Sequence, residues 1–74
     1  MQKILSIINE ILEDNDRPKI DLIKPEMSLR NDIGFDSMDL AKLTVMIEDK
    51  FNVDIFEDGL VDKISEILEK LKLN

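Results

Sequence analysis

Apolar residues recur at helical spacing in three separate segments of the chain, and this pattern limits the possible folds more than any other feature. The first segment covers about residues 2–14, the second begins at residue 36 or 37 and ends near residue 51, and the third covers about residues 62–71. Apolar side chains three and four residues apart share one face of a helix. We therefore predict three longer helices that each bury one face, with Asp62 as the N-cap of the last.

A short additional helical turn is predicted over residues 56–60, with Gly59 at its end. The expected fold is therefore an all-α, four-helix bundle, in which this short helix is the third and a long loop joins the first two helices. Residues 19–23 and 52–56 each alternate apolar and polar side chains, so a small mixed α and β domain is the competing prediction. Two isolated strands would be marginal in water, which favours the all-α fold.

The loop between the first two helices covers about twenty residues, from 16 to 35. Loops of this length are uncommon in small domains unless they are functional or well packed. This one contains seven large apolar residues, which are Ile20, Leu22, Ile23, Met27, Leu29, Ile33 and Phe35. We expect these side chains to anchor the loop against the helices. At the start of the loop, the sequence Asn15-Asp16-Arg17-Pro18 should end the first helix, because Asn15 tolerates the left-handed conformation and Pro18 cannot donate a hydrogen bond within a helix.

The composition excludes several classes of function. We expect a single domain over residues 1–74, and this domain contains no Cys and no His. It therefore lacks a thiolate, a disulfide, and the commonest general base and zinc ligand. Two acidic stretches, residues 14–19 and 54–59, suggest calcium loops, but the first lacks glycine at its sixth position and the second has Phe56 where an oxygen ligand belongs. We expect neither an enzyme nor a metal site.

The net charge of −7 is concentrated in the middle of the chain. Residues 32–62 hold nine acidic residues and two basic ones, while the acids and bases outside this segment balance. Repulsion from phosphates argues against nucleic acid, whereas a basic protein surface would be attracted. No apolar run is long enough for a signal peptide or a membrane span, so we expect a cytoplasmic monomer without membrane insertion.

The residues from Gly34 to Asp39 stand where the long loop meets the second helix, and Gly34 is expected to supply the turn before that helix. A helix N-terminus presents unpaired N–H groups and a partial positive charge, which would favour a phosphodiester attached to Ser37. The same spacing suits an ordinary cap, in which Asp36 or Ser37 caps the helix and Asp39 returns a capping-box contact. Spacing alone favours the cap, and the two roles are compatible.

Residues 32–39, with the sequence Asp-Ile-Gly-Phe-Asp-Ser-Met-Asp, resemble the phosphopantetheine attachment region of acyl carrier proteins. That family typically shows Gly-x-Asp-Ser-(Leu or Met) at the start of a helix. The resemblance continues through Leu43, Met46, Ile47, Glu48 and Phe51, and the order of helices and loop matches over all 74 residues. The chain is thus identified as a member of this family, which carries acyl groups and does not catalyse reactions.

The resemblance implies a covalent 4'-phosphopantetheine on Ser37, delivered from coenzyme A by a separate phosphopantetheinyl transferase. Asp36 is implied as a possible metal contact during that transfer. The arm would carry acyl groups as thioesters to acyl-loading and acyl-processing enzymes, whose basic docking patches would recognise the acidic second helix. The candidate partner-binding residues are Asp36, Met38, Asp39, Lys42, Glu48 and Asp49.

A second set of residues could enclose an acyl chain between the second and third helices of the four. These are Met46, Ile47, Phe51, Ile55, Leu60 and Ile64. Met and Ile side chains are adaptable, and few aromatic rings obstruct the interior. The alternative is that the same residues form an ordinary dry core.

Two departures from the family pattern leave the pathway open. Lys42 stands where carriers of fatty-acid synthesis usually have an acid, and Met38 replaces the commoner Leu. The resemblance implies fatty-acid or related lipid synthesis. Because of the two departures, a specialised carrier of D-alanyl, other aminoacyl or polyketide-type intermediates is the alternative. A helical interaction module that never receives the arm is the remaining possibility.

Overall fold

The computed structural model of the chain describes residues 2–56, 59 and 61–72. This part contains three helices, which are α1 (Gln2–Asp14), α2 (Ser37–Phe51) and α3 (Ile64–Lys72). The described residues form no strand, and an isolated bridge pairs Ser28 with Lys63. The all-α prediction is therefore confirmed, and the mixed alternative is wrong. The four-helix description is not confirmed, because three of the five residues in the predicted short helix, 57, 58 and 60, lie outside the described residues.

Helix α1 has the predicted bounds and, as predicted, buries one apolar face. Its buried residues are Ile4, Ile7, Ile8, Ile11 and Leu12, each at most 2% exposed. The helix stops at the predicted sequence, where the backbone N–H of Arg17 donates to the Leu12 carbonyl at 2.8 Å. The left-handed residue in this turn is Asp16, with φ of 58°, and not Asn15, to which the sequence argument gave that role.

The long loop is anchored as predicted at most of its apolar positions. Ile23, Leu29, Ile33 and Phe35 are at most 4% exposed, and Ile20 and Met27 pack partly buried against the same core. The prediction is wrong for Leu22, which is 62% exposed. Because most of its apolar side chains are buried, the loop forms one wall of the core.

Hydrogen bonds join the loop to the start of α3. The backbone N–H of Leu29 donates to the Asp62 carbonyl at 2.7 Å, and that of Ile64 donates to the Met27 carbonyl at 3.0 Å. The hydroxyl of Ser28, a buried residue, donates to the Asp62 carboxylate at 2.8 Å. The loop and α3 are therefore held together by backbone and side-chain contacts.

These contacts explain why α3 begins two residues later than predicted. Asp62 was predicted to cap this helix, but its carboxylate accepts from the Ser28 hydroxyl in the loop. The N–H groups of Ile64 and Ser65 at the helix start donate to the loop carbonyls of Met27 and Pro25. Oε1 of Glu66 accepts from the two residues before the helix, at 3.3 Å from residue 62 and at 2.9 Å from residue 63. The prediction of Asp62 as the N-cap is wrong.

Helix α2 lies across this core with one face buried and one exposed. Leu40, Leu43 and Ile47 form the buried face, whereas Met46 and Phe51, which helical spacing also puts on this face, are only partly buried. Asn52 ends the helix in the left-handed conformation, with its N–H donating to the Glu48 carbonyl. After it, the side chains of residues 53, 55 and 61 are buried in the same core. The buried face fixes the direction of α2 and therefore the position of its first residue, Ser37.

Candidate functional site

The site is built on the first turn of α2. Asp36 precedes the helix in an extended conformation, and its Oδ1 accepts from the Asp39 N–H at 2.9 Å. The Oδ2 atom of Asp39 accepts in return from the Asp36 N–H at 3.2 Å. This is the capping box that the sequence predicted, with Asp36 as the cap. Ser37 is therefore the first helical residue and not the cap.

The Ser37 side chain is exposed at this helix terminus. The N–H groups of the first helical turn point toward solvent unless they are capped, and they carry the positive end of the helix dipole. A dianionic or monoanionic phosphate ester placed on this hydroxyl would gain from that field. The position is suitable for a hydroxyl that must be reached by another protein and then hold a phosphodiester.

The backbone that enters the site is held by Arg17, from the turn after α1. Its guanidinium donates to the Ile33 carbonyl at 2.7 Å and to the Gly34 carbonyl at 3.0 Å. Gly34 has φ of +84°, and a Cβ there would lie 2.8 Å from Nη2 of Arg17. Both the positive φ and the close approach require glycine at this position. The predicted role of Gly34 in the turn before the helix is confirmed.

Asp39 is turned toward the protein and is 9% exposed. Its Oδ1 accepts from the Asn15 side-chain amide at 2.8 Å, and its Oδ2 completes the capping box. Desolvation, the strongest single influence, raises the pKa of Asp39, but hydrogen bonds from Asn15 and Asp36 and the charge of Arg17 together lower the pKa below its usual value. The sequence proposed Asp39 as a docking contact, whereas its carboxylate is occupied within the chain.

Sequence reasoning missed Asn15 as part of this site. Asn15 and Asp39 are 24 residues apart, and no local pattern connects an asparagine at a helix end with a carboxylate in another helix. The only available signal was that Asn15 belongs to the stop sequence of the first helix, which gives it a local role. The contact depends on how α1 and α2 pack.

The outward face of α2 carries exposed apolar side chains among its charges. Met38 is 79% exposed and Val45 is 66% exposed. Their spacing of seven residues, two helical turns, puts them on the same side of the helix. Glu48 and Asp49 are exposed and line a shallow depression together with Val45. Val45 was not among the predicted contacts, because the spacing of apolar residues in an amphipathic helix does not show which of them stay exposed.

Lys42 also lies on the exposed part of α2 and forms an ion pair with Asp14 of α1, at 3.6 Å between Nζ and Oδ2. Both side chains are about half exposed, so the pair contributes little to stability. A groove beside the pair is lined by Asn15, Asp36 and Met38 in addition to Lys42. Five of the six predicted docking contacts are exposed, namely Asp36, Met38, Lys42, Glu48 and Asp49.

The residues predicted to enclose an acyl chain belong mainly to the closed core. Ile47, Ile55 and Ile64 are fully buried, while Met46 and Phe51 are partly buried and pack against the same cluster. Leu60, the sixth of these residues, lies outside the described residues. In the described part of the chain these side chains pack as an ordinary core.

Two other kinds of feature are absent from the described residues. No group of three or more acidic side chains is placed to bind a metal ion. None of the helices in the described part of the chain is long and apolar enough to cross a membrane.

The family model of the phosphopantetheine attachment site matches residues 2–69 of the chain. An acyl carrier protein from Syntrophus aciditrophicus (strain SB) is 38% identical over 74 residues, which cover 97% of this chain and 88% of that protein. The chain belongs to the acyl carrier protein family. No solved structure gives a significant match.

As an acyl carrier protein, the chain is a carrier and not an enzyme, and it bears a covalent phosphopantetheine group. Acyl carrier proteins interact with enzymes. The absence of Cys is compatible with this chemistry, because the arm brings the thiol that the chain itself lacks.

Proposed function

We propose that Ser37 is the attachment point of the arm and that the chain presents acyl thioesters to enzymes of fatty-acid or related lipid synthesis. The observation that carries this proposal is the exposed side chain of Ser37, the first residue of α2, directly after the capping residue Asp36. This is the one serine in the family-like sequence Gly-Phe-Asp-Ser-Met. Ser28, by comparison, is buried and bonded to Asp62.

The attachment step forms one bond and breaks one. The Ser37 oxygen attacks the phosphorus that bears the pantetheine part of coenzyme A, the bond from that phosphorus to the nucleotide part breaks, and the serine proton passes to a base of the transferase. The product is a phosphodiester at the N-terminus of α2, where the helix dipole favours its negative charge. Asp36 uses Oδ1 in the capping box, which leaves Oδ2 for contact with a metal ion held mainly by the transferase and coenzyme A.

We propose the exposed face of α2 as the docking surface for the transferase and for enzymes that load or process acyl groups. Its members are Asp36, Met38, Lys42, Val45, Glu48 and Asp49, all of them exposed. The carboxylates would attract a basic patch and orient the encounter, while Met38 and Val45 would supply apolar contact area. Asp39 is left out because its carboxylate is occupied by Asn15 and Asp36.

An acyl chain could enter the core only if the helices separate around Ile47, Ile55 and Ile64, which are fully buried. We propose that this separation occurs when the arm carries an acyl group. Loading a medium-length acyl group should shift the methyl NMR signals of these residues, and unchanged signals would contradict it. We also propose that residues 1–74 act as one monomeric domain in the cytoplasm, where coenzyme A is available to donate the arm.

Because the chain has no Cys, any thiol that it gains belongs to the arm, and this allows a direct test. The purified chain is incubated with coenzyme A and a broadly specific phosphopantetheinyl transferase, freed of small molecules, and titrated with a thiol reagent. The wild type should gain one thiol and the mass of one arm per chain, the Ser37→Ala variant should gain neither, and Ser65→Ala should behave as the wild type. A wild type that stays unmodified with several transferases would favour the interaction module that never receives an arm.

The pathway can be examined once the arm is attached. The carrier that bears the free arm would be offered to ligases and acyltransferases specific for fatty acyl, D-alanyl and polyketide-type groups. Preference for fatty acyl groups supports the proposal, whereas exclusive loading with an aminoacyl group would favour a specialised carrier. Lys42→Glu and Lys50→Glu should change which enzyme accepts the carrier, because they alter the charge on the docking helix.

A further inference from the structure

We propose that Asn15, at the end of α1, is a positioning residue for the modification of Ser37. The inference rests on the proposed function and adds a residue that is remote in sequence from Ser37. Asn15 donates its side-chain amide to Oδ1 of Asp39 at 2.8 Å, and Oδ2 of the same carboxylate accepts from the Asp36 N–H at 3.2 Å. One carboxylate thus joins the end of α1 to the residue that precedes Ser37.

This connection acts on the conformation of the chain at Ser37. The Asp36 N–H is bonded only while the Asp39 carboxylate is turned toward it, and Asn15 holds the opposite oxygen of that carboxylate. Loss of the amide would allow the Asp39 side chain to rotate toward solvent. The extended conformation of Asp36, with φ of −95° and ψ of −175°, would then be less strongly fixed, and so would the direction of the Ser37 hydroxyl.

The turn that contains Asn15 is itself rigidly placed. Its backbone N–H donates to the carbonyls of Ile11 and Leu12, and two residues later the Arg17 N–H also donates to Leu12. The Arg17 guanidinium then holds the carbonyls of residues 33 and 34. Side chains from this one turn therefore contact the chain on both sides of Ser37, before it at Gly34 and after it at Asp39.

A positioning role predicts a particular kinetic effect. Of the docking residues, Val45, Glu48 and Asp49 lie six or more residues beyond the capping box, and Asn15 is not a member of the docking surface, so binding to the transferase should be largely preserved when Asn15 is changed. The fraction of complexes in which the Ser37 oxygen is aligned with phosphorus should fall, which lowers kcat and not the apparent affinity. A purely structural role would instead lower thermal stability without affecting kcat in the folded protein.

The most informative variant is Asn15→Asp, because it keeps the size of the side chain, removes the donor and places a negative charge against Asp39. With transfer followed by the new thiol, kcat should fall about tenfold while KM changes less than about twofold. Asn15→Ala should have an intermediate effect and should raise the pKa of Asp39 by removing a hydrogen bond to its charged form.

The double variant Asn15→Asp with Asp39→Asn tests the contact itself. The new amide at position 39 can donate to the new carboxylate at position 15 while its oxygen still accepts from the Asp36 N–H. Most of the wild-type kcat should therefore return. A double variant as slow as the worse single variant would overturn the proposal.

Asn9→Ala is the matched control. Asn9 has the same side chain, lies in α1 just before the turn that holds Asn15, and makes two hydrogen bonds to the backbone of Ile20, at 3.0 Å and 2.8 Å. The Asn9→Ala variant should lose at least as much stability as Asn15→Ala. At temperatures well below its unfolding temperature, it should keep the wild-type kcat. If Asn9→Ala and Asn15→Asp lower kcat equally, or if Asn15→Asp transfers normally, Asn15 has no positioning role. A wild type that accepts no arm would overturn the proposed function and this inference together.

Discussion

Helices α1 and α2 are similar in length, 13 and 15 residues, but they distribute their apolar side chains differently. Helix α1 buries five of them almost completely. Helix α2 buries three, Leu40, Leu43 and Ile47, and leaves Met38 and Val45 mostly exposed. Two of the three most exposed large apolar residues in the described part of the chain therefore belong to one helix.

This difference indicates what each helix contributes. Burial of apolar side chains is the main favourable term in folding, so α1 contributes chiefly to stability. Exposed apolar side chains beside carboxylates contribute little to folding, but they provide contact area for another protein. The helix that begins with Ser37 is the one that keeps such a surface. The variants below should affect stability in α1 and transfer in α2.

The largest expected effect is the loss of a buried side chain from α1. Ile8 is fully buried, and Ile8→Ala should lower the free energy of unfolding by about 2–5 kcal/mol, through lost transfer energy and a residual cavity. Urea unfolding followed by circular dichroism measures the change. Glu10→Ala, on the exposed face of the same helix, should change stability by less than about 0.5 kcal/mol. Equal losses in the two variants would contradict the division of roles.

The next effect concerns the docking surface of α2. Val45→Ser removes an exposed apolar contact with little change in helix propensity. If Val45 is buried by the transferase, KM should rise about tenfold, which corresponds to about 1.4 kcal/mol, while stability stays unchanged. The matched control is Leu22→Ser, because Leu22 is also exposed but lies in the loop. A Val45→Ser variant with wild-type KM would remove Val45 from the docking surface.

Asp36 combines both kinds of role, and two variants separate them. Asp36→Ala should destabilise the protein by about 1 kcal/mol through loss of the cap, and it should also slow transfer. Asp36→Ser keeps a capping oxygen, so stability should be largely retained while transfer remains slow. Urea unfolding and thiol formation measure the two effects. Normal transfer to Asp36→Ser would show that its carboxylate is needed only as a cap.

The smallest effect is a pH dependence from Asp39. Its pKa is lowered in the folded protein, whereas in the unfolded chain it should be near the ordinary value of about 3.9. The stabilisation is therefore fully present well above the unfolded pKa, and it is lost as pH falls through the unfolded and then the folded pKa. Between pH 5 and 3, the wild type should lose more stability than Asp39→Asn, which does not titrate at this position. Parallel losses would contradict the lowered pKa.

The features that sequence predicted well are those determined by neighbouring residues. The bounds of α1 and α2 follow from helical periodicity and from Asn52, which ends α2. The capping box between Asp36 and Asp39 was also predicted, because its two residues are three positions apart. The attachment motif is local in the same way, which is why resemblance over a few residues could suggest the family.

The features that sequence missed depend on contacts between distant parts of the chain. Asp62 has the chemistry of a helix cap, but its carboxylate instead accepts a hydrogen bond from the hydroxyl of Ser28, 34 residues away. Asn15 and Asp39 are brought together by the packing of α1 on α2. Leu22 was expected to be buried with its loop neighbours, and its exposure depends on the path of the loop. Such contacts cannot be read from periodicity.

The most direct test of the account is to locate the arm by peptide mass spectrometry. The chain has four serines, at positions 6, 28, 37 and 65, and cleavage after Lys and Arg, except before Pro, puts each in a different peptide. After reaction with coenzyme A and the transferase, the arm should be found on the peptide of residues 31–42, in which Ser37 is the only serine. An arm on any other peptide, or on none, would contradict the assignment of Ser37.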